Sequence, residues 1–392
     1  TTALRHLVSA MNLNGKRLDD VSLGSVIMSA SDWNLARECV LGSGLAGDTP
    51  AFDIRRACGT SLESVIAIAN KIALGQAEVG IAGGMDTNSD APIEFQKSFA
   101  KKLIRISQSK TASEKIKTLA QFRPSDLKPR LPGVIEPRTK LSMGQHCELM
   151  AKEWKISRAD QDQLSFESHK KAATAYDEGF YNDLVFEYRG LKKDSIVRGD
   201  TTVEKLAKLK PAFDRSESGT LTAGNSTALT DGAACVLLAS EDYAQKMGWP
   251  VLAYIKDAQS AAVDFVHARK GLLMAPTIAV GKLLQRQKLS FNQIDFFEVH
   301  EAFAAQVLCT FRAWESDDYC RSEIGLQQAL GSIDRKKLNV KGGSLALGHP
   351  FGATGSRIVA GLAKILSQAD KGTGLISICT GGGMGVAAIL ER

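Results

Sequence analysis

The sequence predicts an α/β layered fold built from two similar halves. Helix-like and strand-like stretches alternate, a pattern typical of parallel strands joined by crossover helices. Each half has a reactive residue beside glycine, Cys58 or His349, then an apolar helix and a strand that ends in two glycines. Between the halves, roughly residues 87–222, the chain is polar, basic and irregular. We therefore predict a duplication of two βαβαβ halves packed in layers, with an inserted loop domain.

In the first half, "TALRHLVSAMNLNG" has helical periodicity, and "SLGSVIMSA" (residues 22–30) reads as a buried strand. After Cys58, apolar residues mark one helical stripe that Gly75 ends, and "EVGIAGG" follows as a strand. In the second half, "TIAVGKLLQRQKLS" predicts a helix, "QIDFFEVHEAF" a strand leading into a helix, and "GLISICTGGG" a closing strand. "NSTALTDGAACVLLAS" returns the chain to the core. The predicted domains are 1–86 with 220–245, an insertion over 87–219, and 246–392.

Composition is that of an ordinary soluble globular protein, with 44% hydrophobic and 23% charged residues among 392. No apolar run is long enough to span a membrane, and the start of the chain shows no secretory signal. The seven cysteines stand singly without CxxC spacing, which favours neither a disulfide framework nor a zinc site. A reducing compartment fits best.

Cys58 precedes an apolar helix in which Thr60 and Glu63 have the spacing of a capping box. At a helix N-terminus the positive end of the dipole and free backbone N–H groups would lower the pKa of the thiol. This position suits a nucleophile. A small buried apolar residue is the alternative, because free cysteine is commonly buried.

Three further residues stand at turns where side chains can reach a cleft. His349, in the glycine-rich "GGSLALGHPFGATG", suits a general base for a thiol. Cys379, in "SICTGGGMG", ends an apolar strand before glycines whose N–H groups can form an oxyanion hole. His300, in "EVHEAFAAQ", lies between a strand and a helix. For each, a purely structural role remains open: a histidine bonded to a carbonyl, a buried core thiol, or a capping histidine.

Together these stretches resemble the thiolase family over essentially the whole chain. "ACGTSL", "AGGMD", "GNSTALTDGAA", "GGSLALGHPFGATG" and "CTGGGMG" occur in the family's order and spacing. The resemblance implies that Cys58 is the nucleophile, His349 its base and Cys379 the acid and base. It further implies one oxyanion hole from the backbone N–H groups of Gly381 and Cys58, and another from His349 and His300.

The resemblance implies chemistry on acyl-coenzyme A thioesters, with CoA as a substrate, no permanently bound cofactor and no metal. Most thiolases have Asn where this chain has His300. "HEAF" instead resembles the β subunit of the fatty-acid oxidation trifunctional complex and its bacterial relatives. We therefore expect a 3-ketoacyl-CoA thiolase of fatty-acid β-oxidation.

Three alternatives remain. One is an acetoacetyl-CoA C-acetyltransferase, a biosynthetic thiolase. A second is a decarboxylating ketoacyl synthase, against which "CTGGGMG" argues because those enzymes lack the terminal cysteine. The third is a non-catalytic lipid carrier or scaffold, made less attractive by retention of all four reactive positions.

The resemblance further implies that Met143 and Thr227 line the pantetheine channel and that Phe303 contributes to the acyl pocket, although ordinary packing would also explain them. It implies a homodimer or higher homo-oligomer and a possible hydratase/dehydrogenase α subunit. It places the protein in the cytoplasm of a bacterium or the mitochondrion of a eukaryote. The family has a strand before its first helix, whereas this sequence starts at that helix, and a core sheet without that strand would expose an edge.

Residues 91–140 carry twelve Lys or Arg and four Asp or Glu, a net charge of +8 in a chain of net +6. Phe95, Phe99 and Leu103 recur at four-residue spacing among lysines, which predicts a basic amphipathic helix. This segment, residues 93–123, could hold CoA phosphates, dock a partner subunit or lie on an anionic membrane surface. The last two are preferred. Nucleic acid is not expected, because no base-stacking motif accompanies the charge.

Overall fold

The computed structural model describes residues 1–29, 31–130 and 133–392. Eight strands form two four-stranded sheets, with helices packed against them. The strands are β1 (Asp20–Leu23), β2 (Ala51–Asp53), β3 (Val79–Asp86), β4 (Gly232–Ala239), β5 (Tyr254–Ala262), β6 (Phe296–Val299), β7 (Thr373–Thr380) and β8 (Met384–Glu391). The α-helices are α1 (Thr2–Ala10), α2 (Leu35–Leu41), α3 (Thr60–Ala73), α4 (Lys97–Gln108), α5 (Ala112–Leu119), α6 (Met143–Glu153), α7 (Arg158–Asp177), α8 (Val203–Ala207), α9 (Glu241–Met247), α10 (Ala275–Gln287), α11 (Ala304–Trp314), α12 (Asp317–Tyr319), α13 (Ser344–Leu347) and α14 (Thr354–Ala369).

The two sheets repeat one arrangement. In the first, ordered β2-β1-β3-β4, β1 and β3 are parallel and β4 runs antiparallel to β3. In the second, ordered β6-β7-β8-β5, β6 and β7 are parallel and β8 runs antiparallel to β7. The order and directions of β1-β3-β4 therefore recur in β6-β7-β8. This repeat confirms the predicted α/β fold of two similar halves.

The first predicted strand is wrong in its extent. It was expected over residues 22–30, but β1 ends at Leu23, and Ala30 lies outside the described residues. The apolar run continues as a loop because the backbone N–H groups of Val26 and Ile27 donate to the Asp86 carboxylate and not to a neighbouring strand. Sequence reasoning also left β5 and β8 unassigned.

Helices α3 and α14 bring the two halves together at their first turns. A Cβ on Gly355 would lie 2.2 Å from the Leu62 backbone nitrogen, so only glycine permits this approach. The Ser356 backbone N–H donates to Ser61 Oγ at 2.8 Å across the same contact. Leu62 on α3 and Leu362 on α14 then belong to one buried apolar cluster with β7 and β8. Because Cys58 and His349 each precede the first turn of one of these helices, the contact places them side by side.

A single buried carboxylate joins the halves a second time. Asp86, at the end of β3, accepts from Ser25 Oγ at 2.8 Å and from the Ile27 backbone N–H at 2.7 Å in its own half. From the other half it accepts the Gly352 backbone N–H at 2.6 Å. Gly84 lies equally close to this loop, since a Cβ there would be 2.2 Å from the Gly352 carbonyl oxygen.

Helices α4 to α8 lie between β3 and β4 in sequence, in the stretch predicted as an insertion. The basic segment forms two helices, α4 and α5, and not one, because Thr111 caps a new helix with a capping box to Glu114. Phe95 precedes α4, so the predicted stripe of three apolar residues is not a single helical face. Within the described parts of the chain, no helix combines the length and apolar character that crossing a membrane requires.

Candidate active site

Cys58 sits on a tight turn that Thr60 holds. The residue before it, Ala57, has a φ of +43°, a left-handed conformation that costs energy for any residue with a Cβ. Thr60 Oγ1 accepts the Arg56 backbone N–H at 2.8 Å and donates to the Ala57 carbonyl at 2.7 Å. The predicted capping box is wrong, because Gly59 is the N-cap and Glu63 forms an ion pair with Arg56 at 3.1 Å.

The expected low pKa of Cys58 is also wrong for the free protein. Burial raises the pKa of the Cys58 thiol to about 11, and the negative charge of Asp86 adds to this. The backbone N–H groups of Gly381 and of Cys58 itself act in the opposite direction and lower the pKa, but by less than burial raises it. The sulfur is therefore a neutral thiol at neutral pH.

His349 is buried, and its Nδ1 lies 2.7 Å from Thr354 Oγ1. Its backbone N–H donates to the Ala228 carbonyl, which fixes the loop. Burial, together with the positive charge of Arg357, lowers the pKa of His349 to about 3, so the imidazole is neutral. Its Nε2 is buried without a hydrogen-bond partner in the described structure. If Nδ1 donates its proton to Thr354, the lone pair on Nε2 is free to act as a base.

His300 is held from the opposite side. Its Nδ1 lies 2.8 Å from Ser344 Oγ, which also accepts a hydrogen bond from Arg357 Nη2 at 2.7 Å. Because arginine only donates, Ser344 can give its own proton to Nδ1, and neutral His300 then carries its proton on Nε2. Burial above all, with the positive charge of Arg357 and any positive charge on His349, holds the pKa of His300 well below its usual range. Its Nε2 too is buried and has no partner among the described atoms.

These groups converge. The Sγ atom of Cys58 and a ring nitrogen from each of His300 and His349 all lie within 4.8 Å of one another. The two imidazole rings have their centroids 4.2 Å apart. The structure therefore brings together three of the predicted site residues.

Cys379 and Gly381 border the same point at the end of β7. Cys379 is 1% exposed, and burial together with a charge on Cys58 would raise its pKa well above the ordinary value. Gly381 begins the turn to β8, where Gly382 and Gly383 have φ of +80° and +71°. Glu136, from the segment between α5 and α6, accepts the Gly382 backbone N–H at 2.7 Å and holds this turn.

The three predicted substrate contacts occupy different settings. Met143 begins α6 with its sulfur next to Gly381, 3.9 Å from where a Cβ would stand. The Thr227 hydroxyl donates to the Ser344 carbonyl at 2.6 Å, so it ties two loops together. Phe303 is buried with its ring packed edge-to-face on Phe213. Met143 thus borders the reactive groups, whereas Thr227 and Phe303 make packing or loop contacts.

Sequence reasoning missed the residues that orient these groups. Thr60 was singled out only as half of a capping box. Ser344, Thr354 and Arg357 lie inside or just beyond the stretches that carry the resemblance, but no periodicity marks them. Another is Glu301, whose buried carboxylate accepts from Ser168 Oγ at 2.7 Å, the Leu345 backbone N–H and Asn339 Nδ2. Glu301 thereby fixes the loop that bears Ser344 against the strand that bears His300.

Chemically, the site offers a thiol, a neutral imidazole able to accept its proton, and the backbone N–H groups of Cys58 and Gly381, which favour negative charge at the sulfur. A second thiol stands nearby as a proton donor or acceptor. This combination suits acyl transfer through a covalent thioester.

Comparison with known proteins gives whole-chain matches. The family description "Thiolase, N-terminal domain" matches residues 1–242, and "Thiolase, C-terminal domain" matches residues 249–392. A 3-ketoacyl-CoA thiolase of Vibrio cholerae is 39% identical over 394 residues, covering 99% of this chain and 90% of that protein. Human mitochondrial 3-ketoacyl-CoA thiolase, solved in complex with CoA, superposes with a TM-score of 0.79 at 29% identity, covering 100% of this chain and 90% of that one. A Bacillus anthracis acetyl-CoA acetyltransferase gives a TM-score of 0.80 at 29% identity, covering 99% and 91%.

Proposed function

Because the chain belongs to the thiolase family, we propose that it is a 3-ketoacyl-CoA thiolase of fatty-acid β-oxidation. It would cleave 3-ketoacyl-CoA with CoA to acetyl-CoA and a shortened acyl-CoA. The family and the thiolase fold predicted from the motifs are both confirmed by the matches. The observation that carries the proposal is the cluster of Cys58 Sγ with a ring nitrogen from each of His300 and His349, two residues whose Nε2 atoms are buried without a partner in the described structure.

In the first half-reaction, His349 Nε2 takes the proton of Cys58 as the sulfur attacks the keto carbon. The bond between the second and third carbons then breaks, the acyl group stays on Cys58, and acetyl-CoA leaves as its enolate. His300 and His349 would stabilise the enolate oxygen, and Cys379 would donate a proton to its carbon. The proton has to move from Cys58 to His349 as the sulfur attacks bound substrate. The raised pKa of Cys58 and the lowered pKa of His349 disfavour a thiolate–imidazolium pair in the free protein.

In the second half-reaction, Cys379 would take the proton of the CoA thiol, whose sulfur attacks the acyl-cysteine. The negative oxygen of the tetrahedral intermediate would be stabilised by the backbone N–H groups of Cys58 and Gly381. This oxyanion hole is supported by the effect of both N–H groups on the Cys58 thiol, since each favours negative charge at the sulfur by lowering its pKa. The tetrahedral intermediate then expels Cys58 as a thiolate, which recovers its proton from His349 Nε2, and the shortened acyl-CoA is released.

Substrate contacts and organisation remain proposals. CoA would bind in the insertion over residues 87–219, with Met143 and Thr227 along the pantetheine and Phe303 towards the acyl chain. The division into 1–86 with 220–245, the insertion and 246–392 is supported by the position of α4 to α8 between β3 and β4. We further infer a homodimer or higher homo-oligomer, in the bacterial cytoplasm or the mitochondrion.

The basic segment over 93–123 would contact a hydratase/dehydrogenase α subunit or a membrane surface. This contact is supported by exposed apolar side chains that lie among lysines on and beside α4 and α5. The exposed fractions are 61% for Phe95, 55% for Ile104 and 65% for Ile116. No residue of α4 is buried in the chain itself. A face of this kind is unusual for a surface that meets only water.

A thiolysis assay with free CoA tests the function. We expect a long-chain 3-ketoacyl-CoA to exceed acetoacetyl-CoA in kcat/KM by about 10-fold or more, because an apolar pocket gains from each added methylene. The reverse preference would favour the acetoacetyl-CoA C-acetyltransferase, the activity named for the Bacillus anthracis neighbour. Cys58→Ala should abolish turnover, with His6→Asn as an exposed control. If the wild-type protein cleaves neither substrate, a carrier or scaffold role replaces both.

A further inference from the structure

The site holds a second chemical possibility, because its three converging atoms are the kinds that bind soft metal ions. Cys58 Sγ and a nitrogen from each of His300 and His349 lie within 4.8 Å of one another. The Nε2 atoms of both histidines are buried and have no hydrogen-bond partner in the parts of the chain that the structure describes. Two unsatisfied imidazole nitrogens facing one thiol form an unusual arrangement that a cation would satisfy.

The donor set fits zinc better than any hard cation. Zn²⁺ takes thiolate and imidazole ligands at about 2.3 and 2.0 Å in tetrahedral geometry, so the ligand atoms of a formed site stand roughly 3.5 Å apart. The observed spacing thus needs only a closing of about 1 Å, within reach of side-chain torsions. Ca²⁺ and Mg²⁺ prefer oxygen ligands, which this cluster lacks.

Each imidazole is also held as metal-binding histidines are held, by a hydrogen bond at its other nitrogen. His349 Nδ1 lies 2.7 Å from Thr354 Oγ1, and His300 Nδ1 lies 2.8 Å from Ser344 Oγ. Thr354 can accept the Nδ1 proton of His349. For His300, metal binding requires the other tautomer, in which the proton moves from Nε2 to Nδ1 and Ser344 accepts it through its second lone pair; both Nε2 lone pairs are then available to the metal.

The charges around the cluster oppose each other. The Arg357 guanidinium acts on both imidazoles and disfavours a cation, whereas the Asp86 carboxylate acts on Cys58 and favours one. A thiolate formed on metal binding adds one more negative charge at the site. Three protein ligands leave a fourth position for water or for the CoA thiol.

We propose that Cys58, His300 and His349 form a three-ligand Zn²⁺ site, and that zinc bound there blocks acyl transfer. Zn²⁺ replaces the proton of Cys58, which is released to solvent, and the sulfur electron pair that would attack substrate is bound to the metal. No oxidation is involved. His300 completes the set, since an asparagine there would leave only two soft ligands. Metal binding does not depend on the proposed function, whereas the inhibition rests on it.

Metal binding is measured on the full metal-free chain with ZnCl₂ against a competing chromophoric chelator, and with CoCl₂ as a spectroscopic probe. We expect one equivalent of Zn²⁺ and a thiolate-to-cobalt charge-transfer absorption. Cys58→Ala, His300→Asn and His349→Asn should each weaken binding by about 10-fold or more. His6→Asn and Cys235→Ser, both outside the cluster, should bind as the wild type does. Unchanged affinity in Cys58→Ala, or cobalt spectra without the thiolate band, would overturn the site.

A second measurement uses only the wild-type protein, so misfolding of a variant cannot obscure the result. Zn²⁺ should slow iodoacetamide alkylation of Cys58 by about 10-fold or more, read by peptide mass spectrometry. Partly exposed Cys235 serves as the internal reference. Alkylation of Cys58 at the same rate with and without zinc refutes the site even in an active thiolase. A protein that binds zinc through Cys58 but cleaves no 3-ketoacyl-CoA refutes the proposed function instead.

Discussion

Gly355 and Leu62 meet so closely that a Cβ on Gly355 would lie 2.2 Å from the Leu62 backbone nitrogen. The contact joins the first turns of α14 and α3, and the two reactive residues, His349 and Cys58, stand just ahead of those turns. The distance between the His349 imidazole and the Cys58 thiol is thus set by backbone packing at a glycine. It does not depend on the side chains of the site alone.

Replacing Gly355 with alanine should therefore separate the helices and lower both stability and activity. Overpacking of this kind costs about 1–3 kcal/mol of unfolding free energy, which urea denaturation measures. The matched control is Gly361→Ala on the same helix, where nothing lies within 4 Å of the added Cβ. That change should stabilise by about 0.5–1 kcal/mol, as Gly-to-Ala changes in helices do, with thiolysis unaltered. Equal losses in both variants would contradict the packing argument.

Thr60 should prove to be a positioning residue for the nucleophile. Thr60→Val leaves the Arg56 N–H without its partner, at a cost of about 1–3 kcal/mol, and loosens the turn around Ala57. We expect slower acylation of Cys58 in single-turnover measurements, while Thr60→Ser, which keeps the hydroxyl, restores the rate. If Thr60→Val is acylated at the wild-type rate, the turn around Ala57 keeps its conformation without the Thr60 hydrogen bonds, and the positioning role of Thr60 is refuted.

Ser344 should act on the reaction only through His300. Ser344→Ala removes the hydroxyl beside His300 Nδ1 and should reduce kcat by about 10-fold. In a His300→Asn background the same change should have little further effect, so a double-mutant cycle on kcat would give a coupling energy near the full single effect. Additive losses would mean that Ser344 matters chiefly for packing of the loop.

The reactivity of Cys58 should keep rising far into alkaline pH. Only the thiolate is alkylated readily, and the pKa of Cys58 is raised from 9.0 to about 11, so the thiolate fraction grows with pH until about 11. The rate of iodoacetamide labelling, followed on the Cys58 peptide of the free protein, should show no plateau near neutrality. A plateau at pH 6 to 8 would indicate a preformed thiolate–imidazolium pair between Cys58 and His349.

Much of the fold was predictable, because apolar periodicity and glycine punctuation mark elements such as α3, β3 and β7. The apolar run predicts too long a strand for β1, because the sequence does not reveal that the Val26 and Ile27 backbone N–H groups donate to a carboxylate about sixty residues away. Reactive residues could be picked out by their residue types beside glycines. The protonation state of Cys58 could not be predicted from the sequence, because its pKa depends on how far the tertiary structure excludes water. The positioning roles of the Thr60 and Ser344 hydroxyls could not be predicted either. Ser344 pairs with His300, which is distant in sequence, and Thr60 acts through the geometry of its turn.

The Asp86 carboxylate has a mechanical consequence. Since it is bonded at once to the Ile27 and Gly352 amides, any rotation that parts the two halves would strand a buried charge without donors. Leaving a buried charge without its donors costs about 3–5 kcal/mol, so a conformation with the two halves parted would hold less than about 1% of the molecules. We therefore expect the two sheets to move as one rigid block, and substrate to reach the Cys58 sulfur through displacement of the peripheral segments.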